Sequence, residues 1–452
     1  MITRDHLDEV LRGHLAAYLE RQRWSAAPEG GIAAAEPEWV EVLSDGDPML
    51  VWMVVDATLA TGDHQRYQVF LGGRPAGPWP EFLDGKDREL LAVVRTDDHE
   101  VVLYDALVDP DLAVDVLHLV DPDQEVEVRR PIVLEHSNSS VVFDERVILK
   151  VLRRVEPGPN PDVEITRVLS AAGYEHVLPP IAELRRDDTD LAVLRDFLVG
   201  ATEGWQLARA SVRDLLASRL PPEECGGDFA PDAARLGEVV ASLHVAMAEA
   251  WGSEPGATRS WVEHMREGLE AVLRLTPPHD LDIDAVRACL DEAEALADAG
   301  REVRIHGDLH LSQVIQVDTG WLVLDFEGEP ARRRDDRFTM SSPLRDVAGM
   351  VRSLHYVAAT GLAEWDQGDT ELDELLWEWE ARNRDAFVAA YEAHEGIGTL
   401  LPSDPSSRAT VLAAFELDKA VYELGYELGH RPDLVHIPLA GIDRLVHRPV
   451  PT

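Results

Sequence analysis

The chain has 452 residues, enough for two or three domains with hydrophobic cores of their own. It carries 42 Lys and Arg against 85 Asp and Glu, a formal net charge of −43, so nucleic acid and anionic membranes are poor partners. Cys225 and Cys289 lack metal-ligand spacing, which excludes a disulfide framework and a zinc site. With no apolar signal segment or spanning run, we expect a cytoplasmic protein. We also expect a monomer, although no sequence feature indicates the oligomeric state. The acidic surface is typical of a highly soluble protein and also suits a cationic substrate.

The N-terminal segment is predicted to form one helix and a small sheet. Apolar residues at helical spacing over 5–20 predict the helix. Three runs separated by Gly, Asp or Pro, at 39–43, 50–55 and 66–71, predict the strands. We interpret Trp24 as a core aromatic residue rather than as a platform for a ligand.

A turn of small polar residues interrupts the strand pattern between Glu135 and Phe143. The backbone N–H groups of such a turn can face phosphate, and the candidate residues are Ser137, Asn138, Ser139 and Ser140. The next strand carries Lys150, whose ammonium suits the α- and β-phosphates of a nucleotide, and Glu164 on the following helix would hold it. The alternatives are a lysine exposed on an edge strand and an ordinary first-turn acid that favours the helix dipole.

A domain boundary is predicted near Gly200. Two antiparallel strands precede it, at 181–184 and 191–194, and helical patterns at 233–251 and 261–275 follow it. The residues just before the boundary would meet the adenine of a nucleotide through their backbone: Asp196, Phe197 and Leu198. We predict that His244, on an apolar helix face, is a satisfied core histidine.

The strongest chemical pattern is Asp308, followed after five residues by Gln313 and then by an apolar run that delivers Asp325. Phosphoryl transfer needs one carboxylate to orient and deprotonate an acceptor hydroxyl, and an amide oxygen and a second carboxylate to hold Mg²⁺. We therefore assign Asp308 as the base and the other two as metal ligands, although each alone would be an ordinary turn residue. The runs 301–305 and 321–324 are predicted to form a hairpin that brings Asp308 and Asp325 to neighbouring strand ends.

A helix is predicted to open at Ser342 and Pro343, with the serine as its N-cap. Arg345 and Asp346 in its first turn would buttress the active-site loop or form a plain surface ion pair. The helix at 409–429 carries four charged residues at three- and four-residue spacing: Glu416, Lys419, Glu423 and Glu427. They form either a solvated face or a carboxylate wall that binds sugar hydroxyls or an ammonium.

Two stretches together resemble the signature of actinobacterial maltokinases and their aminoglycoside-phosphotransferase-like relatives. They are His306-Gly307-Asp308-Leu309-His310 with Gln313, and Asp325-Phe326-Glu327-Gly328-Glu329-Pro330. Further similar stretches extend over essentially the whole chain: Arg21–Trp24, Arg66–Val69, Ser137–Phe143, Ile148–Lys150, Ser342–Gly349 and Leu417–Glu423. The resemblance implies an α+β, eukaryotic-protein-kinase-like two-lobe fold with an N-terminal cap and an all-helical C-terminal lobe.

In that family the domains would be a cap at 1–90, an N-lobe at 91–200 and a mostly helical C-lobe at 201–452. The resemblance also implies ATP with Mg²⁺ as cofactors, and it supports the roles of Lys150 and Glu164. The expected substrate-contacting residues are Asp308, His310, Glu416, Lys419, Glu423 and Glu427.

Fold does not decide the acceptor. We favour D-glucosamine, phosphorylated to glucosamine 6-phosphate, because the acidic helix face would suit its ammonium. Maltose, phosphorylated to maltose 1-phosphate, is the alternative within the family. A nucleotide-binding pseudokinase scaffold is the alternative of another class; the complete set of Lys150, Asp308, Gln313 and Asp325 argues against it.

Overall fold

The computed structural model describes residues 4–25, 31–95, 100–127, 132–135, 138–275, 281–329, 340–364 and 369–447. The chain divides into two compact units. The first unit comprises Met1–Glu164 and Pro179–Val199, and the second comprises Ile165–Leu178 and Gly200–Thr452. Among the described residues, no helix is long and apolar enough to cross a membrane.

The first unit opens with α1 (Arg4–Arg21) and a five-stranded antiparallel sheet. Its strands are β1 (Ile32–Ser44), β2 (Met49–Leu59), β3 (His64–Pro75), β4 (Leu90–Arg95) and β5 (Glu100–Asp105), in the order β1-β2-β3-β5-β4. The apolar stripe of α1 is buried, and Trp24 is 2% exposed, which confirms it as a core residue. Because β4 and β5 complete this sheet, it continues past the predicted cap boundary at residue 90.

A second antiparallel sheet follows α2 (Pro110–Val120). It contains β6 (Ile132–Glu135), β7 (Ser139–Phe143), β8 (Val147–Val151), β9 (Ala182–Arg186) and β10 (Thr189–Asp196), in the order β6-β7-β8-β10-β9. Alternation along β8 buries Leu149 and Val151 and leaves Lys150 on the opposite face. The helix α3 (Pro161–Ala171) comes next in the chain after β8. Its later turns belong to the second unit, because Ile165 and Leu169 are part of that unit's core.

The second unit is mainly helical among its described residues. Its helices are α4 (Gly204–Ser218), α5 (Ala230–Trp251), α6 (Thr258–Leu273), α7 (Ile283–Glu294), α8 (Leu344–Glu364), α9 (Thr370–Ala393), α10 (Pro405–His430) and α11 (His436–Val446). Contrary to the all-helical expectation, it also has short strands. Three form one sheet, namely β11 (Thr202–Glu203), β14 (Val314–Val317) and β15 (Gly320–Val323), and two form another, β12 (Glu254–Pro255) with β13 (Arg301–Glu302).

Candidate functional site

The hairpin that carries the predicted metal ligands is formed by β14 and β15. The run at 301–305 was the wrong partner, because its first residues pair with β12 instead. Gln313 immediately precedes β14, and the N–H of Leu324 donates to its carbonyl oxygen at 2.8 Å. Asp325 directly follows Leu324. Gln313 and Asp325 therefore lie at the same end of one hairpin.

The donor set at this end of the hairpin suits Mg²⁺. Asp325 has a φ of +61°, in the left-handed region that Asp and Asn tolerate better than other residues with a side chain. Carboxylate oxygens of Asp325 and Glu327 lie within 4.8 Å of each other. Carboxylate and amide oxygens are the hard ligands that Mg²⁺ prefers, so these residues fit that ion.

His306 hydrogen-bonds the loop that carries Asp308 to the β14–β15 hairpin. Its Nε2 lies 2.8 Å from the carbonyl oxygen of Leu324; because a carbonyl only accepts, this nitrogen carries the proton. The imidazole also packs against Phe326, with ring centroids 4.8 Å apart. Gly307 then turns the chain with a φ of +84°, which favours glycine. Asp308 and Asp325 therefore lie on neighbouring loops, as predicted, although the strands differ from those expected.

Asp346, in the first turn of α8, binds the backbone of the same loop. Its carboxylate accepts hydrogen bonds from the N–H groups of His306 at 2.7 Å and Gly307 at 2.9 Å. His244 Nε2 lies 3.1 Å from the same carboxylate and Nδ1 lies 2.9 Å from the Tyr391 hydroxyl. Burial alone would raise the pKa of Asp346, but His244, His306 and the Gly307 amide lower it below its usual value. The predicted buttress is therefore present, and His244 is a satisfied core residue as predicted.

Lys419 contacts the proposed base directly. Its Nζ donates to Asp308 Oδ1 at 3.0 Å and to Glu329 Oε1 at 2.7 Å. Glu329 accepts a further hydrogen bond from Arg345 at 3.2 Å. The sequence pattern placed Lys419 on a substrate-facing helix but gave no sign of its contact with Asp308, and it did not single out Glu329.

His310 lies beside the base without a hydrogen bond to it. Its Nε2 is 3.9 Å from Asp308 Oδ2, and its Nδ1 accepts from the N–H of Ser312 at 3.2 Å. Burial lowers the pKa of His310 below its usual value. This shift favours the neutral form of the ring.

A cavity of about 550 Å³ opens beside Asp308 within the second unit. One wall is the face of α10 that carries Phe415, Asp418, Tyr422 and Tyr426. Asp308, Glu329 and Arg345 also line the cavity, with His264 on α6. Aromatic rings next to carboxylates suit a ligand with apolar faces and several polar groups, such as a sugar.

The predicted acidic wall of α10 is not part of this cavity, because none of its three glutamates is among the described lining residues. Each is bound to arginine instead. Glu416 pairs with Arg384, Glu423 accepts from Arg352 Nη2 at 2.6 Å, and Glu427 pairs with Arg431 and the Tyr356 hydroxyl. Glu416 and Glu427 are 2% and 1% exposed. The three glutamates therefore form neither a solvated face nor an open carboxylate wall in the described structure, whereas Lys419 of the same predicted set lines the cavity.

In the first unit, Lys150 lies next to a carboxylate that the sequence analysis missed. Its Nζ is 3.5 Å from Asp162 Oδ2, and Arg195 Nη1 donates to the same oxygen at 2.8 Å. Asp162 is 1% exposed. Glu164 lies in the same first turn of α3, and its role as the partner of Lys150 stays a prediction.

The polar turn before β7 has an internal role as well. Asn138 Oδ1 accepts from the N–H of Arg153 at 3.1 Å, and Ser139 Oγ accepts from its Nε at 2.8 Å. Ser140 pairs with Lys150 across the sheet, and Ser137 lies outside the described residues. The side chains of Asn138 and Ser139 therefore position a buried arginine, and the contact of this turn with phosphate stays a prediction.

The predicted adenine-binding segment continues β10. The N–H of Phe197 donates to the carbonyl oxygen of Arg146 at 2.8 Å. That amide is engaged within the first unit, so the proposed adenine contact cannot use it as a donor. Asp196 is exposed and Leu198 is half-buried.

Two protein-family models match the chain. Residues 130–366 match the model described as the phosphotransferase enzyme family, and residues 18–109 match the maltokinase N-terminal cap domain. The glucosamine kinase of Mycolicibacterium smegmatis is 27% identical over 330 residues, or 70% of this chain and 79% of that protein. The glucosamine kinase of Streptacidiphilus jiangxiensis is 28% identical over 326 residues, or 68% and 71%.

Solved structures share the fold. A glucosamine kinase in complex with glucosamine, ADP and inorganic phosphate matches with a TM-score of 0.67 at 22% identity, covering 98% of this chain and 100% of that chain. Another, described as crystal form B, matches with a TM-score of 0.70 at 21% identity and covers 98% and 99%. The predicted kinase-like α+β fold is confirmed.

Proposed function

Because the chain belongs to the phosphotransferase enzyme family, we propose that it transfers the γ-phosphoryl group of ATP to a hydroxyl of a small amino sugar. The acceptor that we favour is D-glucosamine, with glucosamine 6-phosphate as the product. The observation that carries this proposal is the negative charge balance of the cavity beside Asp308. The relatives named glucosamine kinase support the same acceptor.

Carboxylates outnumber cations by two among the described residues that line the cavity. The carboxylates are Asp308, Glu329, Asp346 and Asp418, and the cations are Arg345 and Lys419. A protonated amino group reduces this imbalance, whereas a neutral hydroxyl does not. A charge-assisted hydrogen bond contributes about 1.5–3 kcal/mol, or about 10- to 100-fold in selection for an amine.

Asp418 is the carboxylate that we assign to the substrate ammonium. It lies on the same face of α10 as Phe415 and Tyr422, three residues before it and four after it. A sugar packed against these rings has its polar groups beside this carboxylate. Asp308 lines the same cavity and is positioned to accept the proton of the attacking hydroxyl.

The remaining roles follow from the chemistry of the donors. Gln313 and Asp325 would hold Mg²⁺, which neutralises the phosphates when it is bound. Lys150, beside Asp162, would hold the α- and β-phosphates of ATP. His306 and Asp346 hold the loop that carries Asp308, which we call the base loop. The proposed base therefore need not reorganise during the reaction.

Maltose is the second candidate, because residues 18–109 match a cap domain described for maltokinases. The tyrosines at the cavity mouth favour any sugar with an exposed apolar face, and this includes a disaccharide. The charge balance separates the two candidates, since maltose has no amine to meet it.

The proposal is tested by comparing kcat/KM for glucosamine, glucose and N-acetylglucosamine, which differ in the charge of one substituent. We expect glucosamine to be preferred over glucose by about 10-fold or more, and Asp418→Asn to remove most of that preference. Glu416→Gln is the control on the same helix: it lies outside the described cavity lining and pairs with Arg384, so it should lower stability but keep the preference for glucosamine. Equal turnover of glucosamine and glucose by the wild-type protein, or turnover of maltose alone, would overturn the amino-sugar assignment.

A further inference from the structure

We propose that Lys419 is a positioning residue for the phosphoryl transfer: its ammonium anchors one oxygen of Asp308 and supplies the cation that the base loop lacks. The inference rests on the proposed function, since it assigns a role within that reaction. It connects the helix that forms the cavity wall to the group that accepts the proton.

The contact fixes the orientation of the base. Lys419 Nζ lies 3.0 Å from Asp308 Oδ1, whereas the nearest His310 nitrogen lies 3.9 Å from Oδ2, beyond hydrogen-bond distance. One carboxylate oxygen is therefore held by the lysine, and the other can receive the acceptor hydroxyl. An ammonium has three N–H groups, of which Asp308 and Glu329 take two. The ammonium also lies 4.9 Å from the centroid of the Tyr422 ring, on the cavity wall.

The lysine is itself held from a second side. Glu329 is 5% exposed and accepts from both Lys419 and Arg345. The resulting row of charges alternates from Arg345 through Glu329 and Lys419 to Asp308. Burial would lower the pKa of Lys419, but the two carboxylates outweigh it and raise the pKa above its usual value. The group is therefore a permanent cation in this place.

No other described side chain of the cavity supplies that charge to the base. The cations among the described lining residues are Arg345 and Lys419, and the arginine is bound to Glu329. His310, two residues after the base, lies 3.9 Å from it without a hydrogen bond, and burial lowers the pKa of its ring. The cation comes instead from a residue 111 positions away on α10.

Lys419→Met removes the charge and keeps most of the length of the side chain. We expect kcat to fall about 10- to 100-fold, because the base loses its fixed orientation, while KM for ATP changes little. Arg408→Met is the matched control: it removes a cation from the same helix, and its side chain is 21% exposed against 20% for Lys419. This control should keep the wild-type kcat.

Chemical rescue separates positioning from a structural role. In Lys419→Ala the missing atoms correspond to propylammonium, and adding this cation should restore part of kcat saturably, whereas 1-propanol should not. A kcat of Lys419→Met within about twofold of the wild-type value would overturn the inference. Equal losses in the Lys419 and Arg408 variants, or no rescue by propylammonium, would assign Lys419 to structure alone and overturn it as well. If the wild-type protein uses an acceptor other than glucosamine, the amino-sugar proposal fails, and the variants are compared with that acceptor.

Discussion

Replacing Asp346 with Asn is expected to disable turnover while leaving the fold in place. Asp346 is 1% exposed and accepts from the N–H groups of His306 and Gly307 and from His244. Asparagine has the same shape but offers an oxygen on only one side. Whichever way its amide turns, at least one buried N–H of the base loop loses its acceptor and faces an NH₂ group.

The size of the effect follows from these bonds. A buried donor without an acceptor costs about 1–3 kcal/mol, and each kcal/mol lowers Tm by about 2–4 °C in a domain of this size. The loop has a cheaper alternative, which is to move until the donor finds water. A displacement of about 1 Å at Asp308 lowers kcat about 100-fold, so activity should fall far more than stability.

The assay measures Tm and kcat for the wild-type protein, Asp346→Asn and the control Asp228→Asn. Asp228 pairs with Arg382, away from the base loop, so its variant should lose stability but keep kcat. A kcat for Asp346→Asn within about twofold of the wild-type value would refute the role of this carboxylate. A loss of kcat in proportion to unfolded protein would refute it too.

Three further predictions follow. Asp325→Asn should raise the Mg²⁺ concentration for half-maximal ADP release by about 10-fold or more. Asn tolerates the positive φ at this position, so the backbone should not change. An unchanged Mg²⁺ requirement would remove Asp325 from the metal site. Arg382 lowers the pKa of Asp228, so the folded state binds fewer protons than the unfolded state, and the pair stabilises above the usual carboxyl pKa of about 4. The Tm difference between wild type and Asp228→Asn should therefore be present at pH 7 and shrink as pH falls below about 4; a constant difference would contradict this. Glu423→Gln should lower the free energy of unfolding by about 3 kcal/mol, because it removes the charged partner of buried Arg352. The variant should keep the preference for glucosamine. Loss of that preference would return Glu423 to the sugar site.

The local parts of the site could be predicted from the sequence. The spacing of polar residues within one short segment identified Asp308, Gln313 and Asp325 as candidates. The residues before Trp321 also predicted the turn there. The strand that pairs with 321–324 was not, because 301–305 and 314–317 are both short apolar runs. Periodicity identifies a strand but does not identify its partner.

Contacts between distant segments could not be predicted in this way. Helical spacing showed that Glu416 and Glu423 share a face, but Arg384 and Arg352, which neutralise them, come from α9 and α8. Lys419 lies on the same helix and contacts Asp308, 111 residues earlier. Sequence spacing fixes which side chains share a face, whereas the packing of other helices decides what that face meets.

The same limit applies around Lys150. Asp162 and Glu164 both lie in the first turn of α3, and a family pattern favoured the glutamate. The structure places Asp162 at 3.5 Å from the ammonium. Sequence spacing did not single out Asp162, and the role of Glu164 as a partner of Lys150 stays a prediction.

We propose Asp308 as the base of an ATP-dependent phosphoryl transfer. This claim is tested most directly by measuring ADP release and ATP binding for the wild-type protein and Asp308→Asn, with Mg²⁺ and glucosamine. We predict that the variant binds ATP as the wild-type protein does but loses turnover by about 100-fold or more. A wild-type protein that binds ATP without releasing ADP, or a variant as active as the wild type, would contradict the claim and favour a nucleotide-binding scaffold.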